Sequence, residues 1–292
     1  MLAAVGAPDV LVAYHIVGPQ IQRVIELRAG HPEVTLKVIA DDAGAVAALG
    51  EACCDAGVTL GVLIDLNTGL NRTGAAPGEA SLKLARLIHD APGLTFEGLH
   101  VYDGHVGRPT DEARKEAARA SIDLAVDTRG LIERAGIPVR EVVASGSRGF
   151  DVTAKTPGVD NVSPGTWTFW DTGYGDSLDF PFQWAALVLS RVISRPEDDL
   201  VTLDAGNKAI NPDVPAPHFR ILDLDTQPEF LIRNEEHQLL RWPKGERPPR
   251  VGDPLYLVPV HVCTTVNMWD EACIIDSEGR WTETWPVDAR GH

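Results

Sequence analysis

The stretch VTLKVIADDAGAVAALGEACCDA, residues 34–56, decides the fold class of this chain. Residues 34–40 form an apolar run of strand length. Residues 42–56 are rich in alanine and begin with aspartate, a residue that favours helix N-termini. The stretch therefore predicts one strand followed by one helix. Repetition of such a unit builds parallel strands with helices outside them.

The same unit recurs on both sides of this stretch. Upstream, residues 10–14 predict a strand and residues 19–29 a helix. Downstream, strands are predicted at 59–66, 96–102 and 140–144, with helices at about 78–89 and 110–135. We expect a parallel sheet, either open or closed into a barrel, because the spacing itself does not choose between the two.

After about residue 180 the pattern changes to short strands. They are predicted at 185–194, 200–204, 219–224, 229–234, 254–261, 272–275 and 280–285, with Pro and Gly turns between them. This pattern predicts a second, all-β domain. We therefore expect an α/β domain at residues 1–180 and a β-rich domain at residues 181–292.

The amino-acid composition indicates which kinds of molecule the protein binds. The chain has 292 residues, 44% of them hydrophobic, and a formal charge of −16, which argues against nucleic acid and anionic membrane as partners. A small-molecule partner is expected instead. No apolar run approaches the ~20 residues of a membrane span. The four cysteines include the adjacent Cys53 and Cys54, a poor disulfide framework, so we expect a cytoplasmic protein.

A candidate metal site lies in PVHVCTTVNMWD, residues 259–270. His261 and Cys263 are two residues apart at the end of a predicted strand, and residues i and i+2 of a strand project from the same face. Imidazole with thiolate suits zinc, and two protein ligands leave positions open for water or substrate. The alternative is a buried histidine beside an inert, apolar cysteine. The polar residues that follow the pair favour the metal.

Other candidate segments follow the predicted strands. Residues 65–74, DLNTGLNRTG, place Arg72 in a glycine-bearing turn, and residues 98–105 read GLHVYDGH. Two further loops, at 145–147 and 163–166, are rich in small hydroxyl residues and glycine. Such loops can offer backbone N–H groups and hydroxyls to a phosphate. Each segment alone is common in loops.

Taken in order, these segments resemble the fold-type III pyridoxal-phosphate enzymes of the D-serine dehydratase and D-threonine aldolase family, whose barrel domain is similar to that of alanine racemase. The matching segments are DLNTGLNRTG (65–74), GLHVYDGH (98–105), ASGS (144–147), SPGTWTFWD (163–171), DAGNKA (204–209), EEH (235–237) and HVCTTVN (261–267). The resemblance implies a (β/α)8-type barrel, N-terminally incomplete as given, followed by an all-β C-terminal domain. It places the cofactor at the carboxyl ends of the barrel strands.

The resemblance also implies roles for individual residues. Arg72 would hydrogen-bond the phenolic oxygen of pyridoxal 5'-phosphate, and Tyr102 would line the ring pocket. His261 and Cys263 would bind the divalent metal that grips the substrate's β-hydroxyl, with zinc expected and manganese or magnesium as alternatives. His105 would serve as a hydroxyl base in an aldolase reaction. The phosphate would be held by Ser145, Gly146, Ser147, Gly165 and Thr166.

One departure from the family pattern leaves two functions open. The family's Schiff-base lysine lies on the first barrel strand, and the matching part of this chain begins downstream of it. The first hypothesis is a pyridoxal-phosphate- and metal-dependent lyase, either an aldolase or a dehydratase, that acts on a small D-3-hydroxy amino acid. The alternative is a truncated or degenerate member that binds the cofactor or metal without turnover. The family resemblance also suggests a homodimer.

Overall fold

The computed structural model describes residues 1–291. They form two compact units, one of Met1–Gly165 and one that begins at Thr166. The domain boundary expected after residue 180 stays a prediction. No helix of the described residues has both the length and the apolar character that a membrane span requires.

The first unit contains a parallel sheet of six strands in sequential order, with each strand paired to the next along the chain. The strands are β1 (Asp9–His15), β2 (Thr35–Ala40), β3 (Leu60–Leu66), β4 (Leu94–Val101), β5 (Glu141–Ala144) and β6 (Asn161–Val162). The helices are α1 (Pro19–Gly30), α2 (Ala43–Asp55), α3 (Glu79–Asp90), α4 (Asp111–Arg134) and α5 (Phe150–Thr153). The predicted alternation of strands and helices is confirmed.

Local capping explains where the main helices begin. Asp42 precedes α2, and its carboxylate accepts a hydrogen bond from the N–H of Ala45 at 2.9 Å. Thr110 precedes α4, and its hydroxyl oxygen accepts a hydrogen bond from the N–H of Ala113 at 3.3 Å. A cap of this kind stabilises a helix by about 1 kcal/mol. Most of the stability of these helices comes instead from burial of their apolar faces against the sheet.

The two faces of the parallel sheet differ in chemistry. One face packs against the helices through fully buried side chains, among them Val38, Val62, Leu99 and Val142, and each such side chain contributes about 1.5–3 kcal/mol by leaving water. Because side chains alternate along a strand, the residues between these point to the opposite, inner face.

The inner face is built in three layers along the strands. At the amino-terminal ends, the ammonium of Lys37 lies 2.8 Å from Asp9 and 2.5 Å from Glu141. The middle layer is an apolar cluster of Ile39, Leu63 and Val143 with Leu11 packed against it. At the carboxyl ends the side chains are histidines and aspartates: His15, Asp41, Asp65 and His100. Polar chemistry is therefore concentrated at the end of the sheet where ligands of barrel proteins bind.

The second unit is dominated by antiparallel strands, as the sequence predicts. A six-stranded sheet has the order β10-β11-β8-β7-β12-β9, and β13 pairs with β14 in a hairpin. The strands are β7 (Val188–Ser194), β8 (Leu200–Leu203), β9 (Phe219–Ile221), β10 (Glu229–Arg233), β11 (Gln238–Arg241), β12 (Pro254–Pro259), β13 (Glu271–Ile275) and β14 (Trp281–Pro286). Two short helices, α6 (Thr172–Gly175) and α7 (Val262–Val266), complete it.

Two sequence-based expectations for this unit are wrong in detail. Strand β11 was not predicted, because its four residues are too short to show a clear alternation. The strand predicted at 254–261 ends earlier, at Pro259. His261 keeps an extended backbone (φ −130°, ψ 98°) but is the residue that precedes α7. His261 and Cys263 therefore do not share one face of a strand.

Candidate active site

The loop after β3 is held in one conformation by its own side chains. The side-chain oxygen of Asn67 accepts hydrogen bonds from the N–H groups of Gly69 and Asn71, both at 3.1 Å. The N–H of Gly74 donates to Asp41 at 2.8 Å. Gly74 has φ 105°, and a Cβ there would lie 2.5 Å from the backbone nitrogen of Asn67, so only glycine fits. This loop presents Arg72.

Arg72 lies over the ring of Tyr102, which follows β4. The guanidinium carbon is 4.7 Å from the ring centroid, a cation–π contact that stabilises by about 0.5–1 kcal/mol at an exposed site. Arg72 is exposed, and within residues 1–291 it makes no hydrogen bond or ion pair. The Tyr102 ring also packs on Gly146, where a Cβ would lie 2.7 Å from the ring. The predicted cofactor residues Arg72 and Tyr102 are thus brought together, with the guanidinium donors open to a ligand.

His105 lies against the loop that follows β3. Its imidazole packs against Gly69, where a Cβ would be 2.8 Å from Nε2. The buried Nδ1 atom has no hydrogen-bond partner in the described part of the chain. The ring is therefore positioned by packing and keeps a nitrogen that is not committed to another protein group.

The loop after β5 is organised by a buried carboxylate. Ser145 has φ 72°, and its hydroxyl donates to Asp103 at 2.7 Å, while the N–H of Gly146 donates to the other carboxylate oxygen at 2.7 Å. Asp103 is 2% exposed. Burial raises the pKa of Asp103, although the hydrogen bonds from Gly146 and Ser145 oppose the rise. Phosphate contacts from Ser145 and Gly146 would require Asp103 to share or release these donors.

A second loop reaches the same place. The hydroxyl of Ser163 donates to the carbonyl oxygen of Ser145 at 3.0 Å, so the loop after β6 contacts the loop after β5 at these two residues. Gly165 has open space at its α-carbon, since a Cβ there would have no heavy atom within 4 Å. The phosphate roles of these residues, including Ser147, stay predictions.

In the second unit, His261 and Cys263 are adjacent although neither lies on a strand. The buried carboxylate of Asp171 accepts the N–H of Val262 at 3.1 Å and fixes the start of α7. The interaction of the His261 imidazole with the Cys263 thiol, against the opposing effect of burial, raises the pKa of His261 to about 9 and lowers the pKa of Cys263.

Two neighbours complete this pair. The Nδ1 atom of His261 lies 2.6 Å from a carboxylate oxygen of Asp213, and the hydroxyl of Thr166 lies 3.7 Å from the sulfur of Cys263. A carboxylate that holds one imidazole nitrogen leaves the other nitrogen as a metal ligand. A thiol of lowered pKa supplies the thiolate that zinc prefers. Thr166, predicted as a phosphate contact, touches the thiol instead, and its phosphate role stays a prediction.

Sequence reasoning missed Asp213 and Asp103 as parts of the site. Asp213 lies in the proline-rich stretch 211–217, which the sequence indicates only as a rigid loop, 48 residues before its partner His261. Asp103 is next to a named candidate, but its contact with Ser145 spans 42 residues. The sequence carries no local signal for either contact.

The first unit, with its parallel βα sheet and its polar carboxyl end, and the antiparallel second unit each match a known protein family. The family model described as "Alanine racemase, N-terminal domain" matches residues 16–172, and the model described as "Putative serine dehydratase domain" matches residues 185–275. The chain belongs to the alanine racemase N-terminal domain family.

Individual relatives refine this placement. D-threonine aldolase of Arthrobacter sp. is 28% identical over 292 residues, which are 99% of this chain and 76% of the relative. 3-Hydroxy-D-aspartate aldolase of Paracoccus denitrificans is 30% identical, over 98% of this chain and 74% of the relative. The crystal structure of D-threonine aldolase from Filomicrobium marinum superposes with a TM-score of 0.92 at 26% identity, covering 99% of this chain and 78% of that one.

Proposed function

We propose that this protein is a pyridoxal-phosphate- and divalent-metal-dependent lyase that acts on a D-3-hydroxy amino acid. The reaction is cleavage of the Cα–Cβ bond, as in an aldolase, or elimination of water, as in a dehydratase. The observation that carries the proposal is the His261–Cys263 pair with Asp213 behind it, in a chain whose relatives include D-threonine aldolase. Relatives are named as aldolases and as a dehydratase, so both reactions stay open.

The residues of the first unit fit the ring of the cofactor. Arg72 offers uncommitted N–H donors beside the Tyr102 ring, a pairing suited to an aromatic ligand that carries an oxygen. Gly146 leaves the space that the Tyr102 ring occupies. When bound, pyridoxal phosphate supplies an electron sink for the carbanion. The protein's part is to orient the ring, with Arg72 at its phenolic oxygen, and Ser145, Gly146, Ser147, Gly165 and Thr166 are the proposed phosphate contacts.

The second unit fits a divalent metal. His261 and Cys263 supply nitrogen and sulfur, a donor set that favours zinc over manganese or magnesium. When bound, the metal supplies Lewis acidity towards the substrate hydroxyl. Asp213 holds the imidazole so that the ligating nitrogen keeps its direction.

His105 is the proposed base for the substrate hydroxyl in the aldolase reaction. A general base must have a nitrogen free to accept the proton. The Nδ1 atom of His105 is not bonded to any described residue, and packing against Gly69 sets the direction of the ring. Removal of the hydroxyl proton by the His105 imidazole would start Cα–Cβ cleavage.

The second candidate is a member that binds cofactor or metal without turnover. The relatives, which are named as aldolases and a dehydratase, give it no support.

Product analysis distinguishes these possibilities. The protein is incubated with pyridoxal phosphate, Zn²⁺ or Mn²⁺, and D-threonine or D-threo-3-hydroxyaspartate, with the L-enantiomers as controls. Glycine from D-threonine identifies the aldolase, and ammonia with a 2-oxo acid identifies the dehydratase. Cofactor and metal binding without product supports the second candidate, and equal turnover of the L-enantiomers contradicts the proposed substrate class.

We also propose that the protein works in the cytoplasm as a homodimer. All four cysteines are free thiols, which suits a reducing compartment. Light scattering of the purified protein tests the oligomeric state, and a monomeric mass at micromolar concentration would contradict the dimer.

A further inference from the structure

Three neighbouring strands bring a histidine and two aspartates together at the carboxyl end of the parallel sheet. His15 is the last residue of β1, Asp41 follows β2 directly, and Asp65 lies near the end of β3. One potential ligand atom from each lies within 4.8 Å of the other two. No residue of this group belongs to the His261–Cys263 pair or to its neighbours Asp213 and Thr166.

The distances in this group suit coordination. The Nε2 atom of His15 is 3.2 Å from a carboxylate oxygen of Asp41 and 3.6 Å from one of Asp65. With ligand bonds of about 2.0–2.2 Å, these separations correspond to angles of about 100° and about 120° at a shared metal ion. Both angles lie close to the tetrahedral value. The group needs little movement to close around an ion.

The histidine nitrogen supplies an independent observation. The Nε2 atom of His15 is buried, and in the described part of the chain it has no hydrogen bond of acceptable geometry, although two carboxylate oxygens are near. The nitrogen therefore points at neither oxygen. A metal ion between the three atoms would satisfy the nitrogen and both carboxylates at once.

Neighbouring donors hold both carboxylates in place. The N–H of Gly74 donates to the Asp41 oxygen at 2.8 Å, and the hydroxyl of Thr73 donates to the Asp65 oxygen at 2.8 Å. The other oxygen of Asp65 is 2.7 Å from Nδ1 of His100, the residue beside it in β4. Each ligand oxygen keeps a lone pair for a metal. Hydrogen-bonded carboxylates of this kind are typical of metal sites.

The group is also reachable. The side chains of His15 and Asp41 are 22% and 26% exposed, whereas that of Asp65 is 5% exposed. An ion can thus approach from the side of His15 and Asp41 and settle against the buried Asp65.

We propose that His15, Asp41 and Asp65 form a second metal site for a divalent transition ion such as Zn²⁺ or Mn²⁺. One imidazole and two carboxylates suit these ions, and three protein ligands leave at least one position open. The site differs from the His261–Cys263 site in having no sulfur ligand. It stands independently of the proposed lyase activity.

Metal counting tests the proposal. The protein is stripped with a chelator, loaded with Zn²⁺, and analysed for bound metal by mass spectrometry and for affinity by titration. The wild type should bind one equivalent more than Asp41→Asn or His15→Ala, whose affinity at this site should fall roughly tenfold or more. His31→Ala, which alters a partly exposed histidine 3.2 Å from Glu33 in the same unit, is the matched control and should bind as the wild type does.

Cobalt separates this site from the other. Co²⁺ bound by a thiolate gives a sulfur charge-transfer band, and Co²⁺ bound by His15, Asp41 and Asp65 does not. In Cys263→Ala the charge-transfer band should vanish while one equivalent of Co²⁺ remains bound, and Asp41→Asn should show the reverse.

Two results would overturn the proposal. One is unchanged metal content in folded Asp41→Asn and His15→Ala, as judged by circular dichroism. The other is binding at this site only at millimolar Zn²⁺, which would show that these three side chains do not form a built metal site. Since no activity is measured, neither result depends on whether the protein is a lyase.

Discussion

Replacing Asp103 with alanine should destabilise the first unit and loosen the loop after β5. The buried carboxylate accepts two hydrogen bonds, from the Ser145 hydroxyl and the Gly146 N–H. Hydrogen bonds to charged groups contribute about 1.5–3 kcal/mol each. Part of this is offset because the substitution also removes the cost of burying the carboxylate, the cost that raises its pKa. We expect a net loss of about 2–4 kcal/mol.

The loop conformation adds to the effect. Ser145 has a positive φ of 72°, which costs a non-glycine residue about 1–2 kcal/mol and is supported by the two bonds to Asp103. Without that support the loop should relax, and the affinity for pyridoxal phosphate should fall. Asp103→Asn is the matched control, since it keeps the shape and one acceptor oxygen and should lose only about 1 kcal/mol.

Urea unfolding, followed by signals from each unit, measures the loss in both variants. The sign of the pH dependence gives a second check. Because burial raises the pKa of Asp103, the folded unit binds this proton more tightly than the unfolded chain does. Stability should therefore decrease as the pH rises from the ordinary aspartate pKa through the raised one, and this decrease should be absent in Asp103→Asn. A loss below about 0.5 kcal/mol in Asp103→Ala, within the range of ordinary surface substitutions, would refute the reasoning.

Three other substitutions test separate contacts. Asp213→Asn should weaken zinc binding at the His261 site by about 10–100-fold with unchanged unfolding, as titration calorimetry can show. Lys37→Met should destabilise by about 3 kcal/mol because it strands the carboxylate of Glu141, and adding Glu141→Gln should recover much of the loss in urea unfolding. Arg72→Ala should raise the dissociation constant of pyridoxal phosphate about tenfold in a fluorescence titration, through the lost charged hydrogen bond.

The parallel sheet could be predicted from local pattern alone. Residues 34–56 carry an apolar strand, a capping aspartate and a helix, and the structure places β2 and α2 there with Asp42 as the cap. The resemblance to a known family came from segments that follow strands, and the structure puts Arg72 against Tyr102. Strand ends and family motifs each lie within a short segment, so the sequence of that segment is enough to predict them.

Contacts that depend on tertiary structure could not be predicted in this way. The turn into α7 is fixed by Asp171, 91 residues before Val262, so the shared strand face assumed for His261 and Cys263 was wrong. The group formed by His15 with Asp41 and Asp65 needs the register of three strands and a break in the β1 pairing before His15. The hydrophobic periodicity of a single segment does not show how far that strand is shifted relative to its neighbours.

Turnover of D-threonine before and after metal removal tests the central claim most directly. Glycine release is measured with pyridoxal phosphate present, for the wild type and Cys263→Ala, first with metal, then after chelation, and again after Zn²⁺ is returned. The account predicts release by the wild type that stops on chelation and returns with Zn²⁺, and little release by Cys263→Ala under any condition. Release that continues unchanged after chelation and in Cys263→Ala would contradict it.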